Sequence, residues 1–305
     1  MMVTGDVHGT IDATKLDKLA AAILEDDIRF PDGRKGIKYM LIAGDFGSIW
    51  KSYWRLPGKQ RGRLPVLHPE DLQKIHNIYD YFPWTTLWID GNHENHDVLG
   101  NLDVEERWGG KISVLTNKCI YLHRGQVFTI DGITFLTMGG AYSVDKYRRV
   151  KGQSWWPQET ITEADYNEAI KNLARVNNKV DFVISHTCPS SALKMLELRL
   201  PEYKVDYWGP KANDPSCDWL EKIRQVIDTK HWVFGHYHVD ETFESNGIIY
   251  RAKYDNFWDV VPTITKLHKE QEEEAAKLKA IQEKEEEERR DNEELLLKLY
   301  NMEFG

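Results

Sequence analysis

Cysteine is scarce in this chain. Its 305 residues hold three, Cys119, Cys188 and Cys217, with no CxxC pair. An odd count without paired spacing excludes a disulfide framework and a cysteine-rich structural zinc cluster. Long apolar runs are missing too. No uncharged hydrophobic stretch reaches the roughly 18 residues that a membrane-spanning helix needs, so no membrane partner is expected. The first ten residues include Asp6 and His8 and lack the apolar core of a secretory signal. A cytoplasmic location is therefore the expectation. A broadly basic surface is also lacking. The formal net charge is −9, which argues against nucleic-acid binding by overall charge.

What is present supports a folded core, with 41% hydrophobic and 11% aromatic residues. The negative charge is uneven. Residues 266–305 hold 8 Lys/Arg against 13 Asp/Glu, which is five of the nine net charges. From Lys269 to Tyr300 there is no Gly or Pro, and the composition favours helix. The expected organisation is a catalytic domain over 1–265 and a charged helical extension over 266–305. A heptad frame on the extension places Ile264, Leu267, Leu278, Ile281, Leu295, Leu299 and Met302 at seam positions. It also places Gln271, Glu274, Glu285, Glu288 and Asn292 there. A solvated helix and a helix that pairs with itself or a partner both remain open.

Along the rest of the chain, "MMVTGDV", "GIKYMLIAGD" and "TTLWIDGNHE" read as strands. They alternate with helical stretches near 11–26 and 69–82. Short strands follow in "KISVL", "CIYLH", "QVFTI" and "ITFLTMGG". Helices near 162–176 and 214–228 precede the strands "VDFVISH" and "KHWVFGHYH", and "ETFES-NG-IIYRAK" reads as a final hairpin. This order implies an α/β (α+β) fold, a two-sheet β-sandwich with helices outside. Residues 47–68 form a Pro/Gly-containing insertion. Lys51, Arg55, Lys59, Arg61 and Arg63 lie there among Trp50, Tyr53 and Trp54. It reads as a solvated basic loop, or as a grip for a nucleotide or nucleic-acid strand.

Five strand ends carry metal-ligating residue types: Asp6 and His8 in "GDVHG", Asp45 in "GDFG", Asn92 and His93 in "GNHE", His186 in "SHTCP", and His236 and His238 in "GHYH". Side chains two apart share a direction while a strand lasts, so Asp6/His8 and His236/His238 can each aim two groups at one site. Carboxylate and amide oxygens mixed with imidazoles suit divalent first-row metals.

In this order the five segments resemble the calcineurin-like metallophosphoesterase superfamily, whose pattern is D-x-H, G-D, G-N-H-[DE], H and G-H-x-H. The segment "MGGAYSVDKYRRVKGQSWWPQE" resembles a bacterial and phage branch of it. The resemblance implies a two-metal phosphoester hydrolase. Asp6, His8 and His238 would hold one ion, and Asn92, His186 and His236 the other. Asp45 would bridge both and place the attacking hydroxide. His93 would bind phosphate and act as general acid. The ions implied are manganese, or iron, zinc or nickel. The chain departs from the phosphoprotein phosphatase branch at "GDFGSIW" and at Asp90. Ser48 stands where that branch has an aspartate, and Ile49 and Asp90 stand where it has phosphate-gripping arginines. A phosphomonoester and a phosphodiester are both open as substrate, and the loss tilts the expectation slightly from a phosphoprotein toward a nucleotide or nucleic acid, with Arg149 or Arg148 either as replacement cations or as solvated loop charges. A protein serine/threonine phosphatase and an inactive scaffold built on the C-terminal helix are the rival readings.

Overall fold

A computed structural model of the chain describes residues 1–55, 64–200 and 214–304, with side chains outside 53–55, 64, 291 and 294–304. The side chains of Tyr53, Trp54, Arg55, Lys59, Arg61 and Arg63, proposed above as a grip, lie outside the described residues. So do those of Leu295, Leu299 and Met302. The elements run β1 (Met2–Thr4), α1 (Thr14–Leu24), β2 (Tyr39–Ile42), β3 (Ser52–Arg55), β4 (Leu64–Leu67), α2 (Pro69–Tyr79), β5 (Thr85–Trp88) and α3 (His96–Leu99). Then come β6 (Glu105–Arg107), β7 (Gly110–Thr116), β8 (Cys119–Leu122), β9 (Gln126–Ile130), β10 (Ile133–Met138), α4 (Glu163–Ala174) and β11 (Phe182–Ser185). The chain continues through α5 (Ser190–Arg199), α6 (Pro215–Arg224), β12 (His231–Phe234), β13 (Glu241–Ser245), β14 (Ile248–Ala252), β15 (Trp258–Asp259) and α7 (Val260–Phe304).

Two mixed sheets form the core. One has the order β15-β1-β2-β5-β8-β7-β6, the other β13-β14-β12-β11-β10-β9. Within them β1-β2-β5-β8 and β14-β12-β11-β10 are parallel. Central parallel strands are covered on both faces, which explains why they read as continuous apolar runs rather than alternations. Met40, Ile42 and Trp88 face one core with Leu16 and Leu19 of α1 and Ile75 of α2. Met138, Val183 and Trp232 face another with Leu173 of α4 and Leu220 of α6. Across the inner faces, Phe182 of β11 meets Trp258 of β15 edge to face at 5.4 Å.

The 47–68 insertion contains a short antiparallel ribbon, β3 with β4, which alternation did not reveal because Pro65 and the Pro/Gly-containing linker obscure it. Helix α5 and the two-residue strand β15 were likewise not expected. The chain divides into two compact units, Met1–Val260 and Val261–Gly305. The change of composition at Lys266 falls inside α7 rather than at its start.

Candidate metal centre

Each candidate site residue sits where a parallel strand stops: Asp6 after β1, Asp45 after β2, Asn92 and His93 after β5, His186 after β11, His236 and His238 after β12. The carboxyl ends of parallel strands are the usual ligand-binding edge of α/β sheets. Here both sheets deliver that edge to one place. The turns are tight. His8, Asp45, His236 and His238 all take left-handed backbone, with φ of 48°, 47°, 69° and 51°. Such conformations are costly for non-glycine residues and collect at functional sites. The loops are laced together, since the N–H groups of Val7 and His8 donate to the Asp45 carbonyl at 3.0 and 2.9 Å. Gly91 makes the close approach of the β5 loop feasible. A Cβ there would lie 2.1 Å from Asp45 Oδ1.

Three sets of side chains have ligand atoms within 4.8 Å of one another: Asp6/His8/His238, Asp45/His186/His236 and His8/Asp45/His93. Asp45 connects them. Its Oδ2 lies 3.2 Å from His8 Nε2, and its Oδ1 lies 3.2 Å from His186 Nε2. Oδ1 also accepts from the N–H groups of Asn92 and His93, both at 2.9 Å. Asn92 joins the second set through Oδ1, 3.2 Å from His186 Nε2. Its amide is fixed by donation to Ser143 Oγ at 3.2 Å.

The electrostatics fit dications. Burial alone would raise the Asp45 pKa, but His186 and His93 outweigh it and hold the carboxyl well below its usual range. Burial opposes charge on His8 and His186 too, yet Asp45 and Asp6 push them up to about 9 and about 10. Anionic carboxylates packed this tightly against imidazoles form a donor set suited to divalent cations. His236 goes the other way, down to about 3, through burial and then His186, so its ring is neutral and ligand-ready. Asp6 Oδ2 is buried and lies 2.9 Å from His238 Nε2. A buried carboxylate oxygen facing an imidazole nitrogen fits a cation shared between them. The residues present thus fit a pair of divalent ions.

A model of the calcineurin-like phosphoesterase family matches residues 1–240. The chain belongs to that family. No curated protein is significantly similar in sequence. Among solved structures, GAP50, the anchor in the inner membrane complex of Plasmodium, is similar over 83% of this chain and 71% of its own, with 13% identity and a TM-score of 0.37. Phosphopantetheinyl hydrolase (PptH) from Mycobacterium tuberculosis is similar over 83% of this chain and 89% of its own, with 13% identity and a TM-score of 0.38. As a calcineurin-like phosphoesterase, the protein is a metal-dependent hydrolase of phosphoesters. No helix among the described residues is long and apolar enough to cross a membrane.

A cavity of about 230 Å³ opens on this centre, lined by His8, Asp45, Asn92, His93, His236 and His238 together with Val144, Asp145, Arg149 and Tyr237. Arg149 enters it and donates from Nη2 to His93 Nε2 at 2.9 Å. Asp145 steadies Arg149 through Nε at 2.8 Å. Arg148 does not line the cavity. It is exposed, with its guanidinium 5.1 Å from the centre of its neighbour Tyr147's ring. A larger cleft of about 520 Å³ lies beside Asp90 and Arg124 and is lined by none of the clustered metal-ligating residues.

The departures from the phosphatase branch have a structural basis. Ile49 is fully buried. Asp90 is buried as well, accepting from Arg124 Nε at 2.8 Å and from the Tyr121 hydroxyl at 2.9 Å. Neither residue lines the cavity described above. His96 is also buried, its Nε2 3.2 Å from the Gly91 carbonyl. Several supporting residues escaped the sequence. Glu94 ties two loops by accepting from the N–H groups of Gly47 and Gly91 at 3.0 and 2.7 Å. Its place in "GNHE" was a usable signal. Arg124 had none, because only the fold brings it to Asp90.

Proposed function

We propose that the chain is a dinuclear metal-dependent phosphoesterase. Asp6, His8 and His238 form one half of its centre, Asn92, His186 and His236 the other, and Asp45 joins them. The observation that carries this reading is the placement of Asp45, one carboxylate with an oxygen 3.2 Å from an imidazole on each side. Mixed oxygen and nitrogen donors without cysteine suit manganese, with iron, zinc and nickel also accommodated. Bound there, two ions would neutralise phosphate charge and supply an activated water.

The chain's own residues do the rest. Arg149 and His93 converge on one point of the cavity, which is where a phosphoryl oxygen would receive Arg149's N–H groups. Because His93 Nε2 faces a guanidinium, His93 is read as serving an anion rather than a cation. Burial lowers its pKa, and Arg149 lowers it further against the pull of Asp45. A phosphate beside the ring acts in the opposite direction and equips it to protonate the leaving oxygen. The segment that carries Val144, Asp145 and Arg149 into the cavity supports a base-bearing leaving group through its neighbouring residues, which do not line the cavity themselves. Lys146 Nζ sits 4.3 Å from the centre of the Tyr142 ring and 5.6 Å from that of Trp155, and Arg148 lies over Tyr147. Cations interleaved with aromatic faces suit nucleotides or single strands. The buried Ile49 leaves no phosphatase-type arginine at that position, so a phosphoprotein is disfavoured.

A screen with added manganese tests this reading. It compares phosphomonoesters, bis-p-nitrophenyl phosphate, cyclic nucleotides, short oligonucleotides and phosphopeptides. Hydrolysis of nucleotide-type esters is expected. The His93→Ala variant should turn over roughly 100- to 10,000-fold more slowly with metal content unchanged. Activity confined to phosphopeptides would favour a protein phosphatase. No activity on any class would favour a scaffold.

A further inference from the structure

The two imidazoles on the Asp6 side are oriented by residues that no motif contains. His8 Nδ1 is 2.7 Å from Asp12 Oδ2, and Asp12 Oδ1 accepts from the Tyr254 hydroxyl at 3.2 Å. The ring of Tyr254 then stacks on His238, with 4.6 Å between centroids and 15° between planes. His8 and His238 themselves meet edge to face at 5.1 Å. One tyrosine therefore touches one of these imidazoles with its face and reaches the other through a carboxylate.

Tyr254 is itself held firmly. The Asp240 carboxylate accepts from the N–H groups of Tyr254, Asp255 and Asn256 at 3.1, 2.9 and 3.1 Å. This fixes the turn after β14. The buried ammonium of Lys15 donates to the Tyr254 carbonyl and, at 2.6 Å, to the Asp6 carbonyl. The turn bearing Tyr254 is thus pinned to the same backbone that carries Asp6. Tyr254 also lies beyond residues 1–240, where the family model matches.

We propose that Tyr254, acting with Asp12, is the positioning residue of the Asp6/His8/His238 half-site and sets the affinity of the ion held there. This rests on the dinuclear reading above. Partners that orient ligating imidazoles typically contribute 10- to 100-fold in metal affinity. The stack restricts rotation of the His238 ring, and the Asp12 carboxylate selects the His8 tautomer whose Nε2 lone pair is free to bind.

The test is a Mn²⁺ titration of the full chain, with stoichiometry and dissociation constants measured by calorimetry and elemental analysis. The wild type should take two ions. Tyr254→Leu removes both stack and hydroxyl. It should weaken one of the two ions about 10- to 100-fold and leave the other unchanged. Tyr254→Phe keeps the stack and should fall between the two. Metal-free melting temperatures separate this effect from general destabilisation. If Tyr254→Leu does not fold, Asp12→Asn takes its place in the titration with the same expectation. Two ions of wild-type affinity in folded Tyr254→Leu, or in Asp12→Asn when that variant stands in, would overturn the proposal. A wild type that fails to bind two ions would instead overturn the dinuclear reading.

Discussion

The two sides of Asp45 are built by different means. On one side His186 is fully buried. Its Nδ1 donates to the Ala43 carbonyl at 2.8 Å, so the backbone just past β2, in the other sheet, sets its orientation. On the other side His8 and His238 are partly exposed, with side-chain accessibilities of 13% and 30%. Side chains aim them, Asp12 from four residues beyond His8 and Tyr254 from the turn after β14. Backbone positioning is inseparable from the fold. Side-chain positioning is adjustable, and a single substitution reaches it. In the proposed dinuclear centre, one half would be fixed by the backbone and the other tuned by side chains.

The largest expected effect comes from removing what the halves share. Asp45→Asn eliminates the joining charge and should lower turnover by at least about 100-fold while reducing metal content. Two ions with normal turnover in this variant would break the account of Asp45. A smaller effect should separate the halves. Under graded chelation the wild type should lose the ion beside His8 and His238 first, because that side is more open, and the ion beside His186 later. Loss of both in a single step would show that the construction differs without consequence for affinity.

The sequence made the candidate metal-ligating residues legible and much of their support invisible, for a physical reason. Asp6, Asp45, Asn92, His186 and His236 each follow a buried apolar strand, so the strand pattern and the adjacent glycines mark them locally. Asp12 reads as an ordinary residue ahead of α1, and Tyr254 as the residue after a hairpin. Asp12 meets His8 locally, four residues away, but Tyr254 joins them only when the turn after β14 is brought against the β1 loop. Arg124 and Lys15 are hidden for the same reason, being a cation beside Asp90 and a helix lysine turned inward. The sheets themselves were readable from apolar runs. The ribbon β3–β4 and the pair Trp258–Asp259 were not, because one is interrupted by proline and the other is too short to show a period.

The most direct test is anomalous diffraction from crystals grown with Mn²⁺. Two peaks about 3.5–4 Å apart are expected, one beside Asp6, His8 and His238, the other beside Asn92, His186 and His236, with Asp45 contacting both. A single peak, or a pair without Asp45 between them, would contradict the account.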